Sequence, residues 1–424
     1  MTNSGANTTV TSMDQKLSPW AAHILKETLP LAPKDGSLHA KSEFLKMLTE
    51  KLQAVRDWER MDPRTMESVV LKRGYTEVAG LEGHAHGVFC LQALPDGRIV
   101  AGGFDRIVHV WTRDAQGDWS SEKLVGHTAP IRRLQALADG RIVSGSGDEY
   151  LRVWKKGTQG DWSSEVLSGH TKTVTCLQAL PDGTFISGSK DADLRVWKSG
   201  AQGVFSSEVL SGHTDEVGCI HAFPDGRIVS GGKDKKLRVW TKDARGEWSS
   251  KTLSGHKKEV LCLQALPDGR IISGSCDKTL RVWTQGAKGA WSSEVLSGHS
   301  HQVDCIQALP KGQIVSASND KTLRVWTRGA DGAWSSEGLS GHTLPIFCLQ
   351  ALPDGRIVSG SIDSRRCIWT RSARGTWSIE SLPTENDEPV FCLQVLPTGE
   401  ILFGSTESTI RIWDGEPVKG GATC

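Results

Sequence analysis

The sequence lacks the features that mark membrane, secreted and polyanion-binding proteins. No apolar run is long enough to cross a bilayer as a helix. The 50 Lys and Arg residues are balanced by 49 Asp and Glu residues, so we expect no nucleic-acid binding through bulk charge. Residues 1–16 have neither the basic start nor the apolar core of a signal peptide, and we therefore expect a cytoplasmic protein that does not enter a membrane.

Motifs of catalysis and of metal or cofactor binding are also missing. There is no C-x-x-C pair, no H-E-x-x-H and no P-loop. The Gly-x-Gly in residues 144–150 lacks the third glycine of a nucleotide-binding loop and the helix that follows it. We therefore expect no enzyme activity, no cofactor and no metal site.

What the sequence does contain is an internal repeat of 43 residues. A Gly-His pair opens each of seven units, and a tryptophan closes each of them. The histidines are His84, His127, His170, His213, His256, His299 and His342. An eighth unit is one residue longer, with Glu385 in the histidine position and Trp413 at its end. The repeat covers about residues 74–414.

One unit divides into four short strands, at residues 162–167, 174–180, 184–189 and 194–198. The Asp182-Gly183 pair between the second and third segments favours a tight hairpin turn with positive φ. Four antiparallel strands make a sheet too small to bury both of its faces alone. Sheets stacked around an axis cover one another, and a closed ring leaves few free edges.

These units resemble WD40 repeats: they share the Gly-His pair, an aspartate before the last strand and a tryptophan at its end. The resemblance implies an all-β, eight-bladed WD40 β-propeller over residues 74–414, followed by a tail at 415–424. The eighth unit lacks an outer strand, and residues 75–81 read as an outer strand with no blade before it. The family closes its ring by joining such ends, so we expect this strand to complete the last blade.

The N-terminal extension, residues 1–73, is expected to have a disordered start followed mainly by helices. Ser18-Pro19 is typical of a helix start. Apolar residues at helical spacing follow on one face, at Phe44, Leu48, Leu52 and Val55. That face either docks on the propeller or binds another protein, and the sequence leaves both open.

Each regular unit also holds a histidine, a serine, an aspartate and a tryptophan, which we call its polar set. One set is His256, Ser273, Asp277 and Trp283, and another contains His127, Asp148 and Trp154. Ser, His and Asp could suggest a hydrolase, but a catalytic set would not recur in six of eight units. The resemblance implies a structural hydrogen-bonded chain. The end units deviate, with Ala101 for serine in the first and Phe403 and Glu407 for serine and aspartate in the eighth. We expect the seam between these units to be the least stable part of the ring.

Cysteine also recurs with the repeat. The same position of the repeat is a cysteine in seven of the eight units. We interpret these residues as small buried side chains with free thiols, in agreement with a reducing compartment.

The units disagree at one position. It comes directly after the valine or isoleucine that opens the segment following the Gly-His pair, such as residues 174–180. The residues there are Phe89, Arg132, Thr175, Gly218, Leu261, Asp304, Phe347 and Phe391. The resemblance implies that three slots per unit face the top of the ring: the residue before this valine or isoleucine, the residue after it, and the residue before the aspartate. Closure makes units seven, eight and one neighbours, which predicts an aromatic cluster formed by Phe89, Phe104, Phe347, Ile362 and Phe391. We expect a protein to bind there, and a secondary, basic site opposite it at Arg132, Lys190 and Lys233.

Three functions are compatible with this pattern. The first is a non-enzymatic scaffold or adaptor that binds a peptide or protein on the top face. The second is a ubiquitin-ligase substrate receptor in which the basic residues read an acidic or phosphorylated motif. An enzyme with a pocket on the propeller axis is the third, and the scattered polar residues of the variable slots favour it least. Neither the partner nor the oligomeric state follows from the sequence.

Overall fold

The computed structural model describes residues 75, 77–200, 203–382, 388–396, 398–406 and 409–414. The helices predicted within residues 1–73 and the tail at 415–424 lie outside these ranges. Within them the chain forms 32 strands and one short 3-10 turn at Pro310–Gly312. In this part of the chain, no helix has the length and apolar character needed to span a bilayer.

The strands fall into four classes that repeat around the ring. The innermost strands are β2 (Val88–Ala93), β6 (Ile131–Ala136), β10 (Val174–Ala179), β14 (Val217–Ala222), β18 (Val260–Ala265), β22 (Val303–Ala308), β26 (Ile346–Ala351) and β30 (Val390–Val395). The second strands are β3 (Ile99–Gly103), β7 (Ile142–Ser146), β11 (Phe185–Ser189), β15 (Ile228–Gly232), β19 (Ile271–Ser275), β23 (Ile314–Ser318), β27 (Ile357–Ser361) and β31 (Ile401–Ser405). The third strands are β4 (Val108–Arg113), β8 (Leu151–Lys156), β12 (Leu194–Ser199), β16 (Lys236–Lys242), β20 (Thr279–Gln285), β24 (Thr322–Arg328), β28 (Arg366–Arg371) and β32 (Ile410–Trp413). The outer strands are β1 (Glu77–Leu81), β5 (Trp119–Leu124), β9 (Trp162–Leu167), β13 (Phe205–Leu210), β17 (Trp248–Ser254), β21 (Trp291–Ser297), β25 (Trp334–Ser340) and β29 (Trp377–Leu382).

Eight antiparallel sheets of four strands result, and each sheet is one blade. Blade 1 is β2–β5, and the numbering continues along the chain to blade 7, β26–β29. Each innermost strand contacts the innermost strand of the next blade, and β30 of blade 8 contacts β2 of blade 1. The contacts therefore form a closed circle, which confirms the eight-bladed propeller.

The ring closes through strand exchange between the two ends of the repeat. Blade 8 has the strand order β1-β32-β31-β30, so its outer strand comes from the N-terminal side of the propeller. Leu81 of β1 pairs with Ile410 of β32 and is buried. Glu77 and Arg411 add an ion pair of 2.6 Å between the same strands. The predicted closure is confirmed.

The hydrophobic core lies between blades. All eight second strands are buried along their whole length, since a neighbouring sheet covers each face. The core between blades 4 and 5 is representative; it contains Val229, Leu237, Val239, Leu253, Leu263, Ile271 and Trp283. A blade therefore completes its core only when the next blade is in place.

The hairpins between innermost and second strands contain the predicted Asp-Gly turns, but the turn is wider than a two-residue hairpin loop. In blade 3, Gly183 has φ 80°, and Asp182 has no positive φ. The Leu180 N–H donates to the Thr184 carbonyl at 2.8 Å, which closes the turn. Only the glycine thus needs the left-handed conformation that other residues rarely adopt.

Removal of β1 should destabilise the ring. Deletion of residues 1–82 leaves the outer edge of β32 unpaired and opens the core around Leu81, so we expect the free energy of unfolding to fall by more than about 3 kcal/mol. Deletion of residues 1–74 is the matched control because it retains β1. Denaturant unfolding of the two proteins measures the difference. Equal stability would contradict a structural role for the closing strand.

Candidate partner-binding face

The variable position of the repeat is a β-bulge. In every blade the pairing of the innermost with the second strand skips one residue; in blade 7, Ile346 pairs with Ser361 and Cys348 with Gly360. The same shift occurs in the other seven blades. The skipped residues are Phe89, Arg132, Thr175, Gly218, Leu261, Asp304, Phe347 and Phe391. A bulged residue has no cross-strand partner, and its side chain is re-aimed. The sheet therefore leaves this residue free to vary.

A backbone hydrogen bond places the second variable slot beside the bulge. The Phe104 N–H donates to the Gly87 carbonyl at 3.0 Å, and the Ile362 N–H donates to the Pro345 carbonyl at 3.2 Å. Equivalent bonds occur in the other blades. The residue before each structural aspartate is thus held next to the bulge of its own blade.

Four rings of the aromatic cluster form a continuous row across blades 7, 8 and 1. Phe347 and Phe391 have ring centroids 5.8 Å apart, and Phe391 and Phe89 are 6.2 Å apart. Phe89 and Phe104 are 4.3 Å apart. All three separations suit tilted or edge-on aromatic contacts. Closure of the ring therefore brings these four rings together as the repeat predicts.

The aromatic cluster is only partly covered by its own contacts. Phe104 is 50% exposed, and the other three rings and Ile362 are half-buried. A cavity of about 390 Å³ opens beside them; its lining is His86, Gly87, Phe89, Phe104, Phe391 and Thr406. Three of the four rings thus form one wall of an open apolar recess, and Phe347 extends the row beyond it.

Arg132 belongs to this cluster and not to the opposite side of the ring. Its guanidinium carbon lies 4.9 Å from the centroid of Phe89 and 6.0 Å from that of Phe104. The expected separation of basic and aromatic sectors is wrong for this residue, because blade 2 is adjacent to blade 1. A guanidinium over an aromatic face makes a favourable cation–π contact. The recess therefore has a cationic edge.

The two lysines of the expected basic site share one carboxylate. Glu216 lies 2.8 Å from the Lys233 ammonium and 3.9 Å from that of Lys190. The hydrogen bond and the charge of Glu216 raise the pKa of Lys233. One carboxylate therefore offsets part of the positive charge of these two lysines.

Asp304 is a functional candidate that sequence reasoning did not single out. It occupies the bulge of blade 6, four blades from Arg132. Burial raises the pKa of its carboxyl to about 6, and the Gln302 amide donates a hydrogen bond to one oxygen at 2.8 Å. The sequence shows that Asp304 is a single charged residue at a bulge position. It does not show the burial that raises the pKa of this carboxyl.

The polar sets are connected as the resemblance implies. In blade 5 the His256 Nδ1–H donates to Asp277 at 2.9 Å, and the Ser273 hydroxyl donates to His256 Nε2 at 2.7 Å. The Trp283 indole N–H donates to the same hydroxyl oxygen at 2.8 Å. The set of His127, Ser144, Asp148 and Trp154 has the same connections, and so do those of blades 3, 4, 6 and 7. Ser273 is fully buried and bonded on both sides, which suits a structural role.

The electrostatics of a polar set favour a charged aspartate and a neutral histidine. Burial raises the pKa of the Asp277 carboxyl, but hydrogen bonds from Thr279, the Lys257 N–H and His256 outweigh it, and the pKa is about 2. Burial lowers the pKa of His256, although Asp277 opposes the effect. A neutral imidazole can donate to Asp277 and accept from Ser273, as the set requires.

The end blades replace this set by other contacts. In blade 1, where Ala101 stands for serine, His84 and His109 both lie against Asp105. In blade 8, Phe403 fills the serine position and is buried, while Glu385 and Glu407 lie outside the described residues. The sequence reasoning recorded Ala101 but missed His109, although an arginine occupies its position in the next five units. The lower stability of the seam stays a prediction.

The cysteines of the repeat are buried or half-buried, and the nine within the described residues are free. Burial raises the pKa of Cys176 to about 12. Its thiol donates to the Val217 carbonyl of the next blade at 3.7 Å. Such thiols stay protonated and pack as small residues between blades.

The comparisons with known proteins agree with this architecture. The sequence profile described as "WD domain, G-beta repeat" matches eight segments, at residues 75–112, 120–155, 162–198, 205–241, 248–284, 291–327, 335–369 and 378–414. These segments cover more than half of the chain, which belongs to the WD40 repeat family. A solved structure, the "WD40 beta propeller domain of Doa1", is similar in fold, with a TM-score of 0.54 and 23% sequence identity. The match covers 81% of this chain and 98% of that one. No curated protein matches the sequence.

The structural role of the polar sets can be tested in blade 5. Asp277→Ala leaves the partners of the carboxylate without an acceptor, so we expect a loss of about 1–3 kcal/mol in the free energy of unfolding. Asp268→Ala is the control: this carboxylate pairs with Arg270 at an exposed hairpin and should cost less than about 1 kcal/mol. Denaturant unfolding distinguishes the two. A hydrolase activity that Asp277→Ala abolishes in folded protein would contradict the structural role.

The same sets predict a dependence of stability on pH. Burial lowers the pKa of His170, His256, His299 and His342 below the ordinary value of 6.5. Near that pH the unfolded chain therefore binds more protons than the folded one, and acidification favours unfolding. We expect the melting temperature to fall steadily between about pH 7.5 and pH 5.5. A melting temperature that is constant or rises over this range would contradict the histidine assignment.

Proposed function

We propose that this WD40 propeller is a non-enzymatic scaffold that binds a peptide segment of another protein on the aromatic cluster. WD40 propellers generally serve as protein-interaction scaffolds. The observation that carries the finer proposal is the row of four phenylalanine rings at and beside the bulges of blades 7, 8 and 1. The sheets do not need these rings, and a recess opens next to them.

The chemistry of the recess indicates the class of peptide. Its volume lies within the range of ligand pockets, about 300–1,000 Å³. Aromatic walls favour an apolar or aromatic side chain as the anchor, because aromatic anchors often dominate binding energy. The Arg132 guanidinium at the edge can pair with a carboxylate on the same peptide. We therefore propose a ligand with an apolar anchor next to an acidic residue.

A ubiquitin-ligase substrate receptor remains the second hypothesis. Arg132, Lys190 and Lys233 lie in three consecutive blades, which suits an acidic or phosphorylated motif. The ion pairs of both lysines with Glu216 weaken this hypothesis, since a ligand would have to compete with that carboxylate. The cytoplasmic location stays a prediction.

Truncation of the aromatic cluster should abolish peptide binding. Peptides are selected from a random library on the full-length wild-type chain, and the affinity of the best one is measured by fluorescence anisotropy. For Phe347→Ala combined with Phe391→Ala we expect at least about 30-fold weaker binding, equivalent to about 2 kcal/mol. Since both rings are only half-buried, the melting temperature should fall by a few degrees at most.

Lys190→Ala combined with Lys233→Ala is the matched control on the same face, and its affinity should stay within about threefold of the wild type. Arg132→Ala should weaken binding of acidic peptides only. If the lysines are essential and the phenylalanines dispensable, the acidic-motif receptor is the better hypothesis. A large loss of stability in the aromatic variant would mean that these rings are packing residues.

A further inference from the structure

Blade 1 departs from the repeat at two positions that face each other. Ala101 stands where six other units have serine, and His109 stands where the next five units have arginine. The two residues are cross-strand partners in β3 and β4. Ala101 removes the serine hydroxyl that six other blades have at this position. His109 replaces the arginine guanidinium with a second imidazole.

The result is a buried cluster of two histidines and one aspartate. His84 Nδ1 lies 2.6 Å from Asp105 Oδ2, and His109 Nε2 lies 3.3 Å from the same oxygen. One ligand atom from each of the three side chains can be chosen so that all lie within 4.8 Å of one another. Both imidazoles are fully buried, and the Asp105 side chain is 3% exposed. No other group of this kind occurs among the residues that the structure describes.

The cluster leaves hydrogen-bonding capacity unused. His84 Nε2, which a serine hydroxyl satisfies in blades 2–7, has no partner within the described ranges, and neither has His109 Nδ1. The Trp111 indole has turned to the Glu82 carbonyl at 3.3 Å. Buried polar nitrogens without partners are costly. They are not the nitrogens that contact Asp105, so the case for an ion rests on His84 Nδ1, His109 Nε2 and Asp105 Oδ2.

We propose that His84, Asp105 and His109 bind a divalent transition-metal ion, with Zn²⁺ as the ion that best suits the ligands. Two imidazoles and a carboxylate are a donor set that zinc prefers, and such a set leaves a fourth position for water. Ligand atoms of a tetrahedral zinc site lie about 3.3 Å apart. The His109–Asp105 distance matches this value, and the His84–Asp105 contact must widen by about 0.7 Å.

The cluster lies close to the surface of the ring, because Ala85 and His86, next to it in sequence, are exposed.

Such an ion would strengthen the seam of the ring. His84 lies in the loop that leaves the closing strand β1, Asp105 lies in the turn before β4, and His109 lies within β4. Coordination would tie this loop to blade 1, beside the closure with blade 8. The sequence motifs gave no indication of a metal site, because its ligands come from a repeat in which histidine is ordinarily structural.

The repeat itself supplies the variant for the test. Ala101→Ser combined with His109→Arg gives blade 1 the residues of blades 2–6. Ser121 can accept a hydrogen bond from the new arginine, as Ser164 does from Arg152. The untagged full-length protein is freed of metal with a chelator, and its melting temperature is measured with and without Zn²⁺. Co²⁺ is titrated in parallel to follow its visible absorption.

We expect the wild type to bind one ion per chain, to melt several degrees higher with Zn²⁺ and to give the absorption of four-coordinate Co²⁺. The double variant should lose all three effects and keep its fold. His109→Gln, which retains a donor for Asp105, should lose them as well and serves if the double variant fails to fold. The same zinc response in wild type and variants would assign the ion to another site that all of them share, and would overturn the proposal. So would a wild type that binds no ion, in which case the cluster is only a rearranged hydrogen-bond network.

Discussion

The packing of each blade against the next is the interaction on which the rest of the structure depends. The second strands are buried on both faces, so every blade needs two neighbours. A linear stack would leave two open ends, and the pairing of β1 with β32 removes them. Closure is therefore a condition for the whole core, and it also creates the row of rings, because Phe347, Phe391 and Phe89 become neighbours only in a closed ring.

The β-bulge separates the residues that build a blade from those that can serve another purpose. Val88 and Cys90 pair with the second strand, while Phe89 between them has no partner in the ladder. The position before the bulge is valine or isoleucine in every unit, and the position after it is cysteine in seven of the eight. The bulge position itself holds six residue types that differ in size and charge. A single change there alters the surface with little effect on the sheet. This is how a strict repeat can carry a site that is specific to three of its blades.

The sequence was sufficient for what the repeat imposes and insufficient for what depends on neighbouring blades. Blade number follows from residues at fixed spacing, while closure and the connections of the polar sets are implied by the resemblance to WD40 repeats, and the structure confirms all three. The position of Arg132 over Phe89 was missed because the repeat gives the order of the blades only. It does not show that a long side chain of blade 2 can extend to a ring of blade 1. Asp304 was missed for a related reason, because its environment comes from burial, which one sequence does not reveal. His109 was visible as a departure from the arginine of the next five units, but its contact with Asp105 was not.

The departures from the repeat concentrate where the ring closes. Ala101 and His109 lie in blade 1, Phe403 lies in blade 8, and Glu77 and Arg411 form the ion pair between β1 and β32. The aromatic cluster spans the same blades. A peptide that contacts blades 7, 8 and 1 together can bind only the closed ring, and any ligand that binds one state alone stabilises that state by mass action. Recognition and closure are thus coupled by geometry, since the surface that a partner needs exists only while the first and last blades are joined.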